Sequence, residues 1–309
     1  MTRFKLSTLI LMLLARILLS ALPAQAAPAG QADEAQFWRD ISIGYPLVDW
    51  FNRVARPDDI ARVENISQLE LLERIHVGRK LVVFKSVTEA EQIVPGIAGQ
   101  IDIIGYNLEH GPANPIDEQE NPLAAIKRMR QLANDYGLLL ALGPDRSFAL
   151  SDGVYLAPYV DIFVLQVQKV QTETATVTDF VLPLVPQLRQ ANPNLQVSVQ
   201  IRTEGDVVAL ADLVDLLRPN LDGVSILTSP ETISVAADLI DELNRHNPAG
   251  TAATAATAPT KTPRTDTKGE PVAEDPLPQG MMWLLIVILS LVAGAIGGGA
   301  IALHFSAHK

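Results

Sequence analysis

The stretch Asn107-Leu108-Glu109-His110 is the first place in this chain where side chains could do chemistry. A carboxyl group there can give or take a proton. A carboxamide two residues earlier on an extended strand projects from the same face and can orient a polar molecule. Comparable groups stand at the ends of other apolar runs: Lys85, Asp145, Gln166 with Gln168, Gln200 with Arg202, and Thr228. A period of two links Gly105, Asn107 and Glu109, then Ala141, Gly143 and Asp145, then Ser198, Gln200 and Arg202, which predicts a common face. Polar groups pointing into a sheet-lined interior need partners. They form either a self-satisfied network, with Arg202 paired to Glu109 or Asp145, or a ligand-binding pit, and their gathering at one end of the runs favours the pit. His110 has no second histidine at ligand spacing, so no metal site is expected and it reads as a structural or substrate-edge residue. Ser147 lacks a Gly-x-Ser-x-Gly elbow, and no dinucleotide or Walker-type glycine loop is present, so no cofactor is expected.

The elements that would position these groups are six apolar runs, Leu81–Lys85, Ile101–Leu108, Leu138–Leu142, Asp161–Gln168, Val197–Ile201 and Gly223–Leu227. Between and before them, helical periodicity covers Asp58–His76, Pro122–Tyr136, Val177–Ala191, Asp206–Leu217 and Pro230–Arg245. Such alternation predicts an α/β domain with a parallel sheet under helices. Six units are two short of a closed eight-fold barrel. Phe37 to Val54, rich in aromatics, supplies another strand or an unusual cap. The expected fold is an incomplete or distorted (β/α) TIM-type barrel, with an open doubly wound sheet as the alternative. In either, reactive groups sit at the carboxyl ends of the strands.

The chain has 309 residues, 48% of them hydrophobic, with 24 Lys+Arg against 35 Asp+Glu and no cysteine. A formal net charge of −11 argues against nucleic acid as a partner. Residues 1–26 read as a signal peptide: Arg3 and Lys5, an apolar run, then Ala24-Gln25-Ala26. Residues 27–247 form the extracytoplasmic domain. Residues 248–280, rich in Pro, Thr and Ala, are expected to be a disordered stalk. The uncharged stretch 281–303 is long enough for a transmembrane helix in the lipid bilayer, leaving 304–309 as a short cytoplasmic tail. Gly294 and Gly298 give that helix a surface for weak dimerisation. The expected location is therefore the cell membrane, single-pass, with the main domain outside the cytoplasm.

Residues 101–111, Ile-Asp-Ile-Ile-Gly-Tyr-Asn-Leu-Glu-His-Gly, resemble the fourth-strand signature of family 18 glycoside hydrolases, particularly class III chitinases. Asp102 and Glu109 match the outer positions of that motif. Leu139–Pro144, Tyr159–Gln168 and Asp222–Ser229 are similar to the fifth, sixth and eighth strands. The resemblance implies a substrate-assisted mechanism on N-acetylglucosamine-containing glycans, with Glu109 as proton donor and Asn107 in place of the orienting aspartate. Gly105 stands at the inner aspartate position, Gln168 at the sixth-strand tyrosine and Leu227 at the eighth-strand tryptophan. These departures imply a weak or absent hydrolase.

The expected function is thus recognition of a glycan or cell-wall polysaccharide on a glycoside hydrolase-like barrel. Glu109 and Asn107 would be the reactive pair, and Lys85, His110, Asp145, Gln166, Gln168 and Arg202 the substrate contacts. The alternatives are an active glycosidase and a non-catalytic surface adaptor that binds a protein.

Overall fold

Short runs of Ile, Val and Leu buried on both faces pair most readily as parallel strands, with the connecting helices covering the outside. The computed structural model describes residues 37–246 and shows eight such strands: β1 Trp38–Ser42, β2 Ile60–Val63, β3 Arg79–Phe84, β4 Ile103–Leu108, β5 Leu139–Pro144, β6 Ile162–Gln166, β7 Gln196–Arg202 and β8 Gly223–Leu227. Each pairs in parallel with the next, and β8 pairs with β1, so the sheet is a closed TIM-type barrel. The expected incomplete barrel is corrected here: β1 comes from the aromatic segment after Phe37, and β2 lies inside the stretch expected as the helix Asp58–His76. Four residues, Ile60-Ala61-Arg62-Val63, all buried, show no alternation that would mark a strand. The expected signal peptide, stalk, transmembrane helix with Gly294 and Gly298, and tail lie outside the described residues. Among the described residues, no helix is long and apolar enough to cross a membrane.

The pleat divides the apolar residues into two nested cores. Trp38, Ile60, Leu81, Val83, Ile103, Ala141, Ile162 and Val164 fill the inside of the barrel. Their neighbours along the strands, such as Val82, Phe84, Ile104, Tyr106, Phe163 and Leu165, pack outward against the helices. Trp38 plugs the base, and its indole lies where a side chain on Gly223 would be: a Cβ there would sit 2.2 Å from the ring. Gly105 likewise leaves room for Leu81, whose Cδ2 would be 2.7 Å from an added Cβ.

The amino ends of the strands are tied by a repeated device. One aspartate stands immediately before each even strand and accepts the N–H of the second residue in the preceding odd strand. Asp59 accepts from Arg39 N at 3.0 Å, Asp102 from Lys80 N at 2.9 Å, Asp161 from Leu140 N at 2.7 Å and Asp222 from Val197 N at 2.7 Å. Each also accepts with its own carbonyl from the next odd strand: Arg79, Leu139, Gln196 and Trp38. Arg130 pairs with Asp161 at 2.6 Å and Arg189 with Asp222 at 2.8 Å. The Arg39–Asp59 pair is wholly buried. Burial alone would push the Asp59 carboxyl up, but the hydrogen bonds and charge of Arg39, with the charge of Arg56, outweigh it and hold the group below the usual carboxylate range.

Removing Asp59 leaves Arg39 buried without a counter-charge, so Asp59→Ala is expected to destabilise the barrel by about 3–5 kcal/mol in denaturant unfolding. Asp102→Ala, at an exposed position, should lose about 1 kcal/mol. Because Asp59 binds its proton more weakly in the folded than in the unfolded state, its stabilisation is complete above about pH 4 and declines as the pH falls below that. Thermal unfolding between pH 7 and 3 should show this decline, and Asp59→Asn should flatten it.

Candidate functional site

The carboxyl ends of the strands open into a pit of about 150 Å³. An engineered apolar cavity of similar size accepts benzene, which sets the scale of what fits its inner part. The wall from β3 to β6 is apolar below, with Leu81, Val83, Ala141 and Val164, and carries carboxamides and a glutamate above. The wall from β7 through β8 to β2 carries charge, Asp40, Arg62, Glu64 and Arg202, with the carboxamide of Gln200 among them.

Glu109 continues the inward parity of Asn107 one step past β4. Its Oε1 accepts from Asn107 Nδ2 at 3.1 Å and from Gln166 Nε2 at 2.9 Å. Gln166 also donates to Asn107 Oδ1 at 2.9 Å and to the carbonyl of Gly143 at 3.0 Å, where a larger residue would crowd Asn107. Gln168 donates to Gln166 Oε1 at 2.9 Å and leaves its own Oε1 without a protein donor. Behind them, Asn114 fixes the backbone: it accepts from Glu109 N at 3.0 Å and donates to the carbonyls of Lys85 and Asn107. Gln119 bridges Gly111 and Asn114, and buried Glu118 accepts from Val87 N and from the Tyr106 hydroxyl at 2.5 Å. Burial and that carboxylate push the Tyr106 phenol far above its ordinary pKa, so it stays a donor.

On the charged wall, Arg62 is 4% exposed and saturated. It lies 2.8 Å from Asp40 Oδ2 and 2.7 Å from Glu64 Oε1, donates to the Ile226 carbonyl at 3.3 Å and stands 3.5 Å from Gln200 Oε1. Arg202 differs. Its guanidinium donates no hydrogen bond within the protein, and its nearest carboxylate, Glu204, is 4.0 Å away. Arg56, Arg79 and Arg130 also have an unpaired Nε but donate through their terminal nitrogens, and Arg146, whose guanidinium likewise donates no hydrogen bond, lies over the Phe180 ring outside the pit.

A second cluster borders the mouth. His110 donates its backbone N–H to Asp145 Oδ2 at 2.8 Å, places Nδ1 2.8 Å from the same oxygen and stacks on Phe148 at 3.9 Å. Asp145 also accepts from Ser147 Oγ at 2.6 Å and caps the helix Arg146–Ser151 through Phe148 N at 3.0 Å. Partial burial opposes ionisation, but these four hydrogen bonds hold the Asp145 carboxyl well below the usual range. A shallower groove of about 470 Å³ runs from this cluster past Gln166 and Gln168 toward Lys169.

Of the residues expected from the sequence, Asn107, Glu109, Gln166 and Gln168 form one bonded group, and Arg202 enters the same pit from another wall. The anticipated pairing of Arg202 with Glu109 or Asp145 does not occur. His110 and Asp145 bond to each other outside the pit, and Lys85 is an exposed rim residue whose backbone, not its side chain, serves the site. Sequence reasoning missed Asp40, Arg62 and Glu64, since β1 and β2 carried no recognised pattern. Among the described residues, no group of three or more His, Cys, Asp or Glu side chains is placed to hold a metal ion.

No family model and no curated protein matches the sequence. Among solved structures, the chain is similar to a mandelate racemase/muconate lactonizing protein from Herpetosiphon aurantiacus, at 12% identity and TM-score 0.42 over 60% of this chain and 54% of that one, so it spans about half the length of that protein. It is also similar to 3-keto-L-gulonate-6-phosphate decarboxylase from Vibrio cholerae O1 biovar El Tor, at 12% identity and TM-score 0.43 over 68% of this chain and 98% of that one.

Neither is a family 18 glycoside hydrolase, and the expected membership in that family is corrected. Asp102 sits at the opposite end of β4 from Glu109, on the outer parity, where it serves the base of the barrel. The glycan-recognising function and the N-acetylglucosamine glycosidase fall with the family, as do the carbohydrate-binding and glycoside hydrolase-like descriptions. The alternative of a protein-binding adaptor has no support from these comparisons either.

Asp145→Ala removes a helix cap and the anchor of His110 together. It should lower stability by about 1 kcal/mol, and nitrogen NMR of the His110 ring should show loss of the single Nδ1-protonated tautomer imposed by the carboxylate.

Proposed function

We propose that the barrel mouth is the site of an acid–base enzyme acting on a small carboxylate-bearing molecule, with Arg202 holding the anion and Glu109 transferring a proton. The observation that carries this reading is the pairing, in one pit, of a glutamate oriented by two carboxamides and a guanidinium with no hydrogen-bonded partner in the protein. A guanidinium presents a planar fork that matches a carboxylate. A carboxyl group fixed by neighbours at the edge of a small cavity suits general acid–base work. Asn107 and Gln166 hold Glu109 Oε1, and no protein donor bonds Oε2, which leaves that oxygen for the substrate proton.

A carboxylate is favoured over a phosphate by the loops after β7 and β8, where barrels commonly grip phosphate. Here those loops carry Glu204, Asp206 and Glu231. Their hydroxyls are spent on each other: Thr203 and Thr232 lie 2.6 Å apart, Thr228 stands 3.2 Å from Thr232, and Thr232 accepts from Ser229 N at 3.1 Å. No cationic side chain in them other than Arg202 offsets this acidity.

The test uses the full chain with a panel of three- to six-carbon carboxylates in heavy water, reading affinity by calorimetry and deuterium uptake by proton NMR. Arg202→Ala should weaken binding about tenfold to a hundredfold, the loss of hydrogen bonds to a charged group. Glu109→Gln should keep binding while slowing exchange by about 10²–10⁴. Binding that ignores Arg202→Ala, or phosphate monoesters that bind better than carboxylates, would overturn the reading.

A further inference from the structure

Resting on the proposed carboxylate site, we infer that the inner end of the pit is a second recognition point, where Asp40 accepts a hydrogen bond from a hydroxyl or ammonium group on the bound acid. The substrate class is then a short hydroxy or amino acid with its donor remote from the carboxylate.

Asp40 is 1% exposed yet lines the pit. Its Oδ2 is occupied, accepting from Arg62 Nη1 at 2.8 Å and from Ser225 Oγ at 2.7 Å. Its Oδ1 is the one buried carboxylate oxygen among the described residues that no protein group bonds. An ionised carboxylate has about four acceptor positions. Leaving a buried acceptor unsatisfied is unfavourable enough that such atoms in native structures call for an explanation. Of the pit-lining residues around Asp40, Leu81, Val83, Ala141 and Val164 have no side-chain donor, Arg62 bonds only Oδ2, and Gln200 makes no hydrogen bond to Asp40. Trp38 Nε1, in the layer beneath, is also unpaired and does not reach it.

The depth follows from the strand register. The register steps by one residue per strand around the tilted barrel, so Asp40 lies level with Leu81, Ala141 and Ser198, and Arg202 stands four residues above Ser198 on β7. Four residues of strand rise about 13 Å, a gap filled jointly by the Arg202 side chain, which lines the pit, and a short carbon chain with a carboxylate at one end and a donor at the other. The apolar wall opposite Asp40 suits the methylenes between them.

The test is calorimetry on the full chain with a matched set of probes: butyrate, 3-hydroxybutyrate, 4-hydroxybutyrate and 4-aminobutyrate. At least one substituted acid should bind ten times or more tightly than butyrate, and Asp40→Asn should lose that preference while Arg202→Ala weakens all four. Should Asp40→Asn fail to fold because Arg62 loses its counter-charge, the probe series on the unaltered protein decides the matter alone. Equal affinity for butyrate and every substituted form, with all four weakened by Arg202→Ala, overturns the Asp40 assignment and leaves the carboxylate site standing. Absence of binding by all four, or binding indifferent to Arg202→Ala, overturns both.

Discussion

Four aspartates at the amino ends of β2, β4, β6 and β8 hold the register on which everything above them depends. Each joins an odd strand to the even strand after it through the side chain and to the next odd strand through the backbone. A one-residue slip in any strand would turn its inward residues outward. Asn107, Gln166, Gln200 and Asp40 reach the same interior only because β4, β6, β7 and β1 are locked at their bases. The stabilisation is unevenly shared. Asp59 and Arg39 are buried, so their bond is strong and breaking it is severe, whereas Asp161 and Asp222 are about one-third exposed and their ion pairs are screened.

The same aspartates explain what could be read from the chain and what could not. Strands β3 to β8 announce themselves by apolar runs, and parity points Asn107, Glu109, Gln200 and Arg202 to the inward side, whereas Asp145, expected on the same face, lies outside the pit. β1 and β2 were hidden because their inward positions mix apolar Trp38 and Ile60 with polar Asp40, Ser42 and Arg62, so neither apolar runs nor alternation mark them. One signal was present all the same. The pairs Asp59-Ile60, Asp102-Ile103 and Asp161-Ile162 repeat an aspartate followed by the first strand residue, and this would have located β2. The resemblance rested on Asp102 and Glu109 alone, while the two positions between them that share the inward parity of Glu109 are Gly105 and Asn107 and carry no carboxylate.

The two ends of the barrel differ in how fully their charges are satisfied. At the base, Arg39, Arg130 and Arg189 each bond an aspartate, and Asp59 is bonded by two arginines. Midway, Arg62 is saturated by Asp40, Glu64 and a carbonyl, and it fixes the position of Asp40 without being free to bind anything else. Above it the Arg202 guanidinium and Gln168 Oε1, and at the inner end Asp40 Oδ1, have no hydrogen-bond partner in the protein, on residues that line one cavity. Folding alone gives no reason to leave buried acceptors such as Asp40 Oδ1 and Gln168 Oε1 unpaired, since each lowers stability and an apolar residue of similar size would remove the penalty. Places where local rules are broken while the surroundings obey them are where function is expected. The open groups are also complementary in kind, a cation at the rim and acceptors deeper in. A molecule satisfying all of them carries its charge and its hydrogen-bond donor at opposite ends, with Glu109 at the rim of the same pit to exchange a proton with it.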